Sequence, residues 1–263
     1  MADLFSLRGK VVILTGGLGL IGLNYAKALI GRGARVAVLD LADSLKARKI
    51  LKNKTFLYYQ SDITSRNSLL AVRRKVLKRF GKIDVLINNA AWDPKVGNSK
   101  KGPPQSNFGS FENLPLASWN KELGINLTGT MLCCQIFGAK MKRGSSIINI
   151  SSTYGLVAPD QSIYPKGFIK PATYGVSKGA VISLTQYLAA YWGKKGIRVN
   201  AVVPGGVYSG QDQEFVRKYS SKTPLGRMAN PDEYNGIIIY LASDASSYAT
   251  GAVFTVDGGW TAW

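Results

Sequence analysis

Short apolar runs alternate with longer amphipathic segments along the chain. Seven of these runs have the length and the residue content that β-strands require. They lie at Lys10–Thr15, Arg35–Leu39, Thr55–Tyr59, Val85–Asn88, Ile147–Ser151, Val199–Val203 and Ala252–Val256. The segments between them are too long for hairpin turns and suit the helical crossovers that connect parallel strands.

Several of the predicted strands are apolar on both faces, as in "VVIL" and "AVFTV". Strands of that kind are typical of a sheet that helices cover on both sides. The sequence therefore predicts an α/β fold, a single Rossmann-like doubly wound parallel sheet with helices on both faces. No internal repeat and no interdomain linker is visible, so residues 1–263 are predicted to form one domain.

Two stretches interrupt the alternation of strands and helices. Residues 92–115 are rich in Gly, Pro, Asn, Ser and Lys, and residues 158–172 contain three prolines. Both follow predicted strands, at the edge of the sheet where ligands bind in this architecture. Long irregular loops in compact domains are usually functional or disordered, so we expect substrate-binding loops here.

The first predicted strand leads into "TGGLGLIG" (residues 15–22), which opens a predicted helix. Glycines in this context allow a tight turn and let the backbone approach a pyrophosphate. The predicted dinucleotide contacts in the loop are Gly16, Gly19, Leu20, Ile21 and Gly22. The next strand leads to Asp40, whose carboxylate would bind a ribose 2′-hydroxyl and repel a 2′-phosphate. The predicted cofactor is therefore NAD in preference to NADP.

Composition narrows the chemistry further. The chain has no histidine, which excludes Ser-His-Asp and Cys-His catalysis and imidazole-based zinc sites, and no metal site is predicted. The neighbouring Cys133 and Cys134 are the only cysteines and form neither a disulfide framework nor a Cys-x-x-Cys pair. The sequence shows no signal-peptide pattern and no apolar run of membrane-helix length. A cytoplasmic protein without a membrane partner is predicted.

The net charge is +19, from 34 Lys and Arg against 15 Asp and Glu. Such a charge fits either an anionic partner or a lysine-rich solvated surface. The basic residues are scattered rather than concentrated in a stripe, which disfavours nucleic acid as the partner.

Further motifs occur in order along the chain. They are "SDIT" with Asp62, "NNAA" at 88–91, "INLTG" with Asn126, "NISS" at 149–152, Tyr174-x-x-x-Lys178 and "PGGV" at 204–207. Together with the glycine loop they resemble the classical short-chain dehydrogenase/reductase family over essentially the whole chain. The glycine spacing, TGxxGxxG, departs from the classical pattern, and the gap between Ser152 and Tyr174 is longer than usual in the family.

Two Tyr-x-x-x-Lys pairs are present, Tyr174–Lys178 and Tyr191–Lys195. On one helix the second tyrosine would lie about 100° from the face of the first, so only one pair can face a bound cofactor. Lys195 precedes Gly196, a combination typical of a helix end. Tyr174 instead follows a strand and its long loop, which makes Tyr174–Lys178 the predicted catalytic pair.

The resemblance implies roles for individual residues. Tyr174 would exchange a proton with the substrate, with its pKa lowered by the neighbouring Lys178 ammonium. Ser152, rather than Ser151, would hydrogen-bond the same substrate oxygen, and Asn126 would support a proton relay. The other cofactor contacts that the resemblance implies, besides Tyr174 and Lys178, are Asp62, Ile63, Asn88, Ala90, Pro204, Gly205 and Val207.

The predicted activity is hydride transfer between a nicotinamide cofactor and a secondary alcohol or ketone. Candidate substrate contacts are Trp92, Asp93, Tyr154, Gln161, Tyr164, Lys166 and Tyr208. This polar and aromatic set suits a small-molecule substrate such as a sugar, a sugar acid or a polyol. A 3-oxoacyl or other small-carbonyl reductase is an alternative, and a non-catalytic, basic nucleic-acid-binding scaffold is a remote one.

Two expectations rest on the resemblance alone. The long loops look similar to those of a branch associated with bacterial surface-glycan and flagellin sugars. Because the family is commonly tetrameric, a homo-tetramer or homo-dimer is expected, with the helices bearing Asn126 and Tyr174 in one interface. The aromatic tail "GGWTAW" is a further candidate for packing against another subunit.

Overall fold

The computed structural model describes residues 3–43, 56–93 and 110–263. In these ranges seven strands form one sheet. They are β1 (Val11–Thr15), β2 (Arg35–Asp40), β3 (Phe56–Gln60), β4 (Val85–Asn88), β5 (Ser146–Ile150), β6 (Arg198–Pro204) and β7 (Val253–Val256). The predicted strands differ from these by a single residue at most at either end, although Thr55 lies outside the described residues.

Helices connect the strands. They are α1 (Leu20–Gly31), α2 (Arg66–Phe80), α3 (Leu116–Leu123), α4 (Thr130–Gly138), α5 (Ala172–Gly193), α6 (Gln213–Ser221) and α7 (Asn235–Ala242). Local chemistry sets their ends, as α2 illustrates. The Ser65 hydroxyl accepts a hydrogen bond from the Ser68 N–H at its start, and Gly81 ends it at φ 75°. A π-helical segment, Gly124–Gly129, joins α3 to α4.

The strand order is β3-β2-β1-β4-β5-β6-β7, and every neighbouring pair is parallel. Val12 pairs with Val36 of β2 on one side and with Val85 of β4 on the other. The chain order therefore reverses between β1 and β4. The carboxyl ends of these strands form the crevice in which ligands bind in doubly wound sheets. The predicted fold is confirmed.

Alternation along the strands divides the core into two layers. Val12 and Leu14 point toward α1 and α7, where Leu29 and Leu241 are fully buried. Val11 and Ile13 point to the opposite face, which α2, α4 and α5 cover. Because both faces are buried, neither set of side chains tolerates a polar residue without loss of apolar contacts.

A third apolar cluster lies beside the sheet. Tyr164 and Phe168, from the irregular segment before α5, pack against Phe215 and Tyr219 of α6. Trp260 completes the cluster and stacks on Tyr219 with ring centroids 4.2 Å apart. The expectation that the tail packs on another subunit is therefore wrong for Trp260, which packs within its own chain.

Candidate active site

A cavity of about 980 Å³ opens at the carboxyl edge of the sheet. The glycine loop and the end of β2 line one end, and the start of α5 lines the other. Of the predicted cofactor contacts, the lining includes Gly16, Gly19, Leu20, Ile21, Gly22, Asp40, Asp62, Ile63, Ala90, Tyr174, Lys178, Pro204, Gly205 and Val207. The fold thus brings residues from the whole length of the chain to one place.

The glycine loop is built so that only glycine fits at two positions. Gly16 has φ 63°, and a Cβ there would lie 2.7 Å from the Cα of Ala90. At Gly22 a Cβ would lie 2.2 Å from the carbonyl oxygen of Gly16. At both positions there is room for the backbone but not for a side chain. A loop without side chains at these positions lets a pyrophosphate approach the N-terminus of α1.

The end of β2 presents a carboxylate to the same part of the cavity. Asp40 Oδ2 accepts a hydrogen bond from the Leu18 N–H at 2.9 Å, and Oδ1 accepts one from the Ala42 N–H at 3.1 Å. These bonds fix the carboxylate beside the glycine loop. Each oxygen has further lone pairs, so a ribose hydroxyl can still donate to it. The residues present fit an adenosine ribose at this position.

The structure corrects one predicted cofactor contact. Asn88 is buried behind the cavity, and its amide donates to Asn149 Oδ1 at 2.8 Å and to Cys134 Sγ at 3.2 Å. The next residue, Asn89, lines the cavity instead. Its amide donates to the carbonyl oxygens of Thr15 and Gly16, at 3.1 and 3.0 Å. Asn88 therefore holds the sheet, and Asn89 holds the glycine loop.

The tyrosine–lysine pair predicted to be catalytic lies at the start of α5. Lys178 is buried, and its Nζ donates to the Ile150 carbonyl at 2.9 Å and lies 5.8 Å from the centroid of the Tyr174 ring. Both side chains line the cavity. Tyr191, in contrast, is exposed on the surface, with Lys195 Nζ 5.8 Å from its ring.

Enclosure governs the protonation of this pair. Desolvation raises the pKa of Tyr174, the negative charge of Asp93 raises it further, and a hydrogen bond with Ser152 acts in the opposite direction. Desolvation lowers the pKa of Lys178 to about 8. The predicted net lowering of the Tyr174 pKa is therefore wrong. Desolvation of the buried phenolate is the largest cause of the raised pKa.

Three polar residues near the pair have structural partners. Ser151 Oγ donates to the Lys178 carbonyl at 2.8 Å, whereas Ser152 caps the turn at 153–155 and has its side chain toward Tyr174. Asn126 lies outside the cavity lining, buried in the π-helical segment. Its amide accepts from the Trp92 N–H at 2.7 Å and donates to the Trp92 carbonyl at 3.0 Å. Asn126 thus fixes the segment that follows β4.

The substrate side of the cavity contains some of the predicted contacts. Trp92, Asp93, Tyr154 and Tyr164 line it, whereas Gln161, Lys166 and Tyr208 do not. Gln161 is bonded in both directions to the backbone of Lys170, and Lys166 and Tyr208 are exposed. The structure places these three predicted contacts outside the cavity lining.

The sequence did not single out several lining residues. They are Lys170, Phe215, Tyr219 and Met228. The three apolar residues come from α6 and the segment after it, which no motif marks. The sequence marks Lys170 in one way only: it lies between two apolar stretches of the loop, four residues before Tyr174.

Among the residues that the structure describes, no cluster of three or more His, Cys, Asp or Glu side chains could hold a metal ion. None of the helices in these ranges has both the length and the apolar character needed to cross a membrane.

Comparison with known sequences agrees with this geometry. A family model described as enoyl-(acyl carrier protein) reductase matches residues 19–261. D-threitol dehydrogenase of Mycolicibacterium smegmatis is 34% identical over 271 residues, covering 98% of this chain and 95% of the relative. 2-Dehydro-3-deoxy-D-gluconate 5-dehydrogenase of Pseudoalteromonas atlantica is 32% identical over 277 residues, covering 99% of each chain.

A solved structure is similar over the whole fold. A short-chain dehydrogenase from Leptospira borgpetersenii, crystallised with bound NAD⁺, superposes with a TM-score of 0.84 at 31% identity. The match covers 99% of this chain and 96% of that one.

Proposed function

The chain belongs to the classical short-chain dehydrogenase/reductase family, and we propose that it interconverts a secondary alcohol and a ketone of a polyol, sugar or sugar acid, with NAD as cofactor. The observation that carries this proposal is the cavity itself. It has a glycine loop and Asp40 at one end, and Ser152, Tyr174 and Lys178 at the other.

A bound nicotinamide supplies or accepts the hydride. Side chains of the protein transfer the proton to and from the substrate oxygen. In reduction, Tyr174 acts as a neutral phenol and donates its proton to the carbonyl oxygen. In oxidation, Tyr174 first releases its proton to solvent, and the resulting phenolate accepts the proton of the substrate hydroxyl. The Ser152 hydroxyl hydrogen-bonds the same oxygen and supports the charge that develops there. The Lys178 ammonium stays within reach of Tyr174, anchored on the Ile150 carbonyl.

The choice of NAD rests on Asp40. Its carboxylate lies where the 2′-position of an adenosine ribose is expected, and a 2′-phosphate there would face a negative charge at close range. The solved relative from Leptospira borgpetersenii holds NAD⁺, which supports the same choice.

The substrate class rests on the cavity and on the relatives. The cavity combines aromatic rings with the charged pair Asp93–Lys170, unlike an apolar slot for an acyl chain. Relatives named for threitol and for a deoxygluconate derivative support a polyol or sugar acid. The acyl alternative is therefore less favoured. The similarity to a surface-glycan branch stays a prediction.

Binding and turnover test the proposal together. Purified protein is titrated with NADH and with NADPH by nicotinamide fluorescence, then assayed with polyols, sugars, sugar acids and acyl thioesters. We expect NADH to bind at least tenfold more tightly than NADPH. Asp40→Asn should reduce that preference, whereas the matched control Asp43→Asn, three residues along the chain, should preserve it. Turnover of thioesters alone would contradict the substrate class, and binding of neither cofactor would contradict the activity.

A further inference from the structure

A second lysine lies against the catalytic tyrosine. Lys170 is 6% exposed, and its Nζ lies 4.1 Å from the centroid of the Tyr174 ring and 6.0 Å from that of Tyr154. It forms an ion pair with Asp93, whose side chain is 39% exposed. Both residues line the cavity next to Tyr174. A charged pair so close to the reacting position must meet whatever part of the substrate extends beyond the carbon that is oxidised.

Both members of the pair are held in place through the backbone. Gln161 Nε2 donates to the Lys170 carbonyl and Gln161 Oε1 accepts from the Lys170 N–H, each at 3.0 Å. On the other side, Asn126 clamps both backbone polar groups of Trp92, the residue before Asp93. The two segments that carry the charges come from loops after different strands. Their fixed backbones mean that the pair is a preorganised site rather than a chance surface contact.

The pair has the donors and acceptors that a hydroxyl group needs. A carboxylate accepts from an O–H, and an ammonium donates to the oxygen lone pairs. One hydroxyl next to the reacting carbon can therefore bond to both groups at once. A carboxylate in that place would gain from Lys170 but would be repelled by Asp93. An alkyl chain would form no hydrogen bond with either charged group and would displace water from both.

We propose that Asp93 and Lys170 form a substrate subsite that binds a neutral hydroxyl adjacent to the reacting carbon, so that the preferred substrates are vicinal diols and α-hydroxy ketones of uncharged polyols and sugars. This inference rests on the function proposed above and narrows it. Among the classes considered there, it favours polyols and sugars over sugar acids.

The test compares alcohols of equal length that differ in one group. The panel consists of butane-2,3-diol, butan-2-ol and 3-hydroxybutanoate, with a tetritol and its ketose as the longer polyol pair. The value of kcat/KM is measured for the wild type and for Asp93→Ala, Lys170→Met and the double variant. Lys10→Met is the matched control, because Lys10 is also ion-paired, to Asp244, but lies at the opposite edge of the sheet.

The wild type is expected to prefer the diol to butan-2-ol by at least tenfold in kcat/KM. Each subsite variant should lower kcat/KM for the diol at least tenfold and reduce this preference to within about threefold. Lys10→Met should preserve the preference. A ratio between two substrates is the decisive readout, because an effect of Lys170 on Tyr174 alone would change both substrates alike.

Other outcomes overturn the inference in distinguishable ways. If the wild type prefers 3-hydroxybutanoate, or if the preference for the diol survives in the variants, the subsite is wrong while the oxidoreductase function stands. If no alcohol or ketone is turned over with either cofactor, the proposed function fails and the inference with it. Thermal melting by circular dichroism checks folding. If a single variant unfolds, the double variant replaces it in the comparison, because it removes both charges and leaves neither one unpaired.

Discussion

At the scale of single residues, the two Tyr-x-x-x-Lys pairs separate by their surroundings rather than by their spacing. Tyr174 lines the cavity with Lys178, and Tyr191 faces solvent. Tyr174→Phe removes the proton donor and should lower kcat by about 10²–10⁴-fold, the usual contribution of general acid–base catalysis. Tyr191→Phe is the matched control. Steady-state assays that show equal losses in the two variants would contradict the assignment.

The high pKa of Tyr174 also gives a direction to the pH dependence. Reduction uses the protonated phenol, which is present throughout the neutral range because enclosure raises the pKa. Oxidation must return that proton to water after each turnover, and rising pH favours this release. We expect the ratio of the oxidation rate to the reduction rate to increase steadily from pH 6 to about pH 9, measured in both directions with saturating cofactor. A reduction rate that falls between pH 6 and about pH 8 would contradict a protonated Tyr174, because it would show the phenol losing its proton in the neutral range.

Glu122 of α3 is a buried carboxyl that the proposed chemistry does not use. Its Oε1 has no hydrogen-bond partner among the described residues, and desolvation raises its pKa to about 7. The lysines Lys170 and Lys178 oppose that shift, and Asp93 adds to it. Because the folded protein holds this proton more tightly than the unfolded chain, the carboxyl's stability contribution is present below pH 4.5 and is lost as pH rises toward 7.

Glu122→Gln tests this assignment, because the amide resembles the protonated acid and never ionises. The variant should match the wild type at pH 5 and exceed it at pH 8 by about 1–2 kcal/mol, or roughly 2–8 °C in Tm. Melting curves at the two pH values provide the measurement. A variant that is less stable at pH 8 than at pH 5, relative to wild type, would show that Glu122 is needed as an anion.

At the scale of elements, the turn from β1 into α1 offers an internal comparison between two glycines of one helix. A Cβ on Gly22 would lie 2.2 Å from the Gly16 carbonyl oxygen, whereas a Cβ on Gly31 would meet nothing within 4 Å. Gly22→Ala should therefore displace the loop and raise the Kd for NADH at least tenfold. Gly31→Ala should leave the Kd unchanged, since alanine is the better helix former. Fluorescence titration distinguishes the two.

How far the sequence predicts each element depends on whether its signal is local. The strands were predictable because a buried parallel strand is apolar throughout, and that pattern appears within five or six residues. Because such a strand is apolar throughout, its sequence does not show which side of the sheet each residue faces. Nothing in "VLINNA" indicates that Asn88 points into the helical layer while Asn89 reaches the glycine loop. The side that a polar residue faces at the end of such a strand depends on the packing of distant helices.

Loop residues were less predictable for a related reason. The sequence places Gln161 among the candidate substrate contacts because it lies in the long loop after the fifth strand. Its partner is the backbone of Lys170, nine positions away, which only the folded loop brings into register. For Lys170 the only local signal is its position between two apolar stretches, which does not by itself predict burial. It is buried and ion-paired with Asp93, which lies 77 positions earlier in the chain. Contacts of that range have no signature in a single sequence.

At the scale of the whole molecule, α5 has two different faces. Tyr174 and Lys178 face the cavity. The other side of α5 has three large exposed hydrophobic side chains: Val176 (49%), Tyr187 (65%) and Tyr191 (60%). Helical geometry places these three within about 60° of each other. The two tyrosines stack with ring centroids 6.0 Å apart. Large exposed apolar groups that share one face mark an interaction surface.

A self-complementary face of this kind is the usual basis of a symmetric homo-oligomer, because identical helices can bury the same stripe against each other. If α5 forms such an interface, Tyr187→Glu combined with Tyr191→Glu should bring like charges together and reduce the mass measured by light scattering toward that of one chain. Tyr248→Glu is the control, because Tyr248 is fully exposed but belongs to the segment between α7 and β7 rather than to α5. A wild type that already sediments as a monomer would contradict the assembly. If the variant dissociates and its kcat is unchanged, the side of α5 that lines the cavity keeps its arrangement without the second chain.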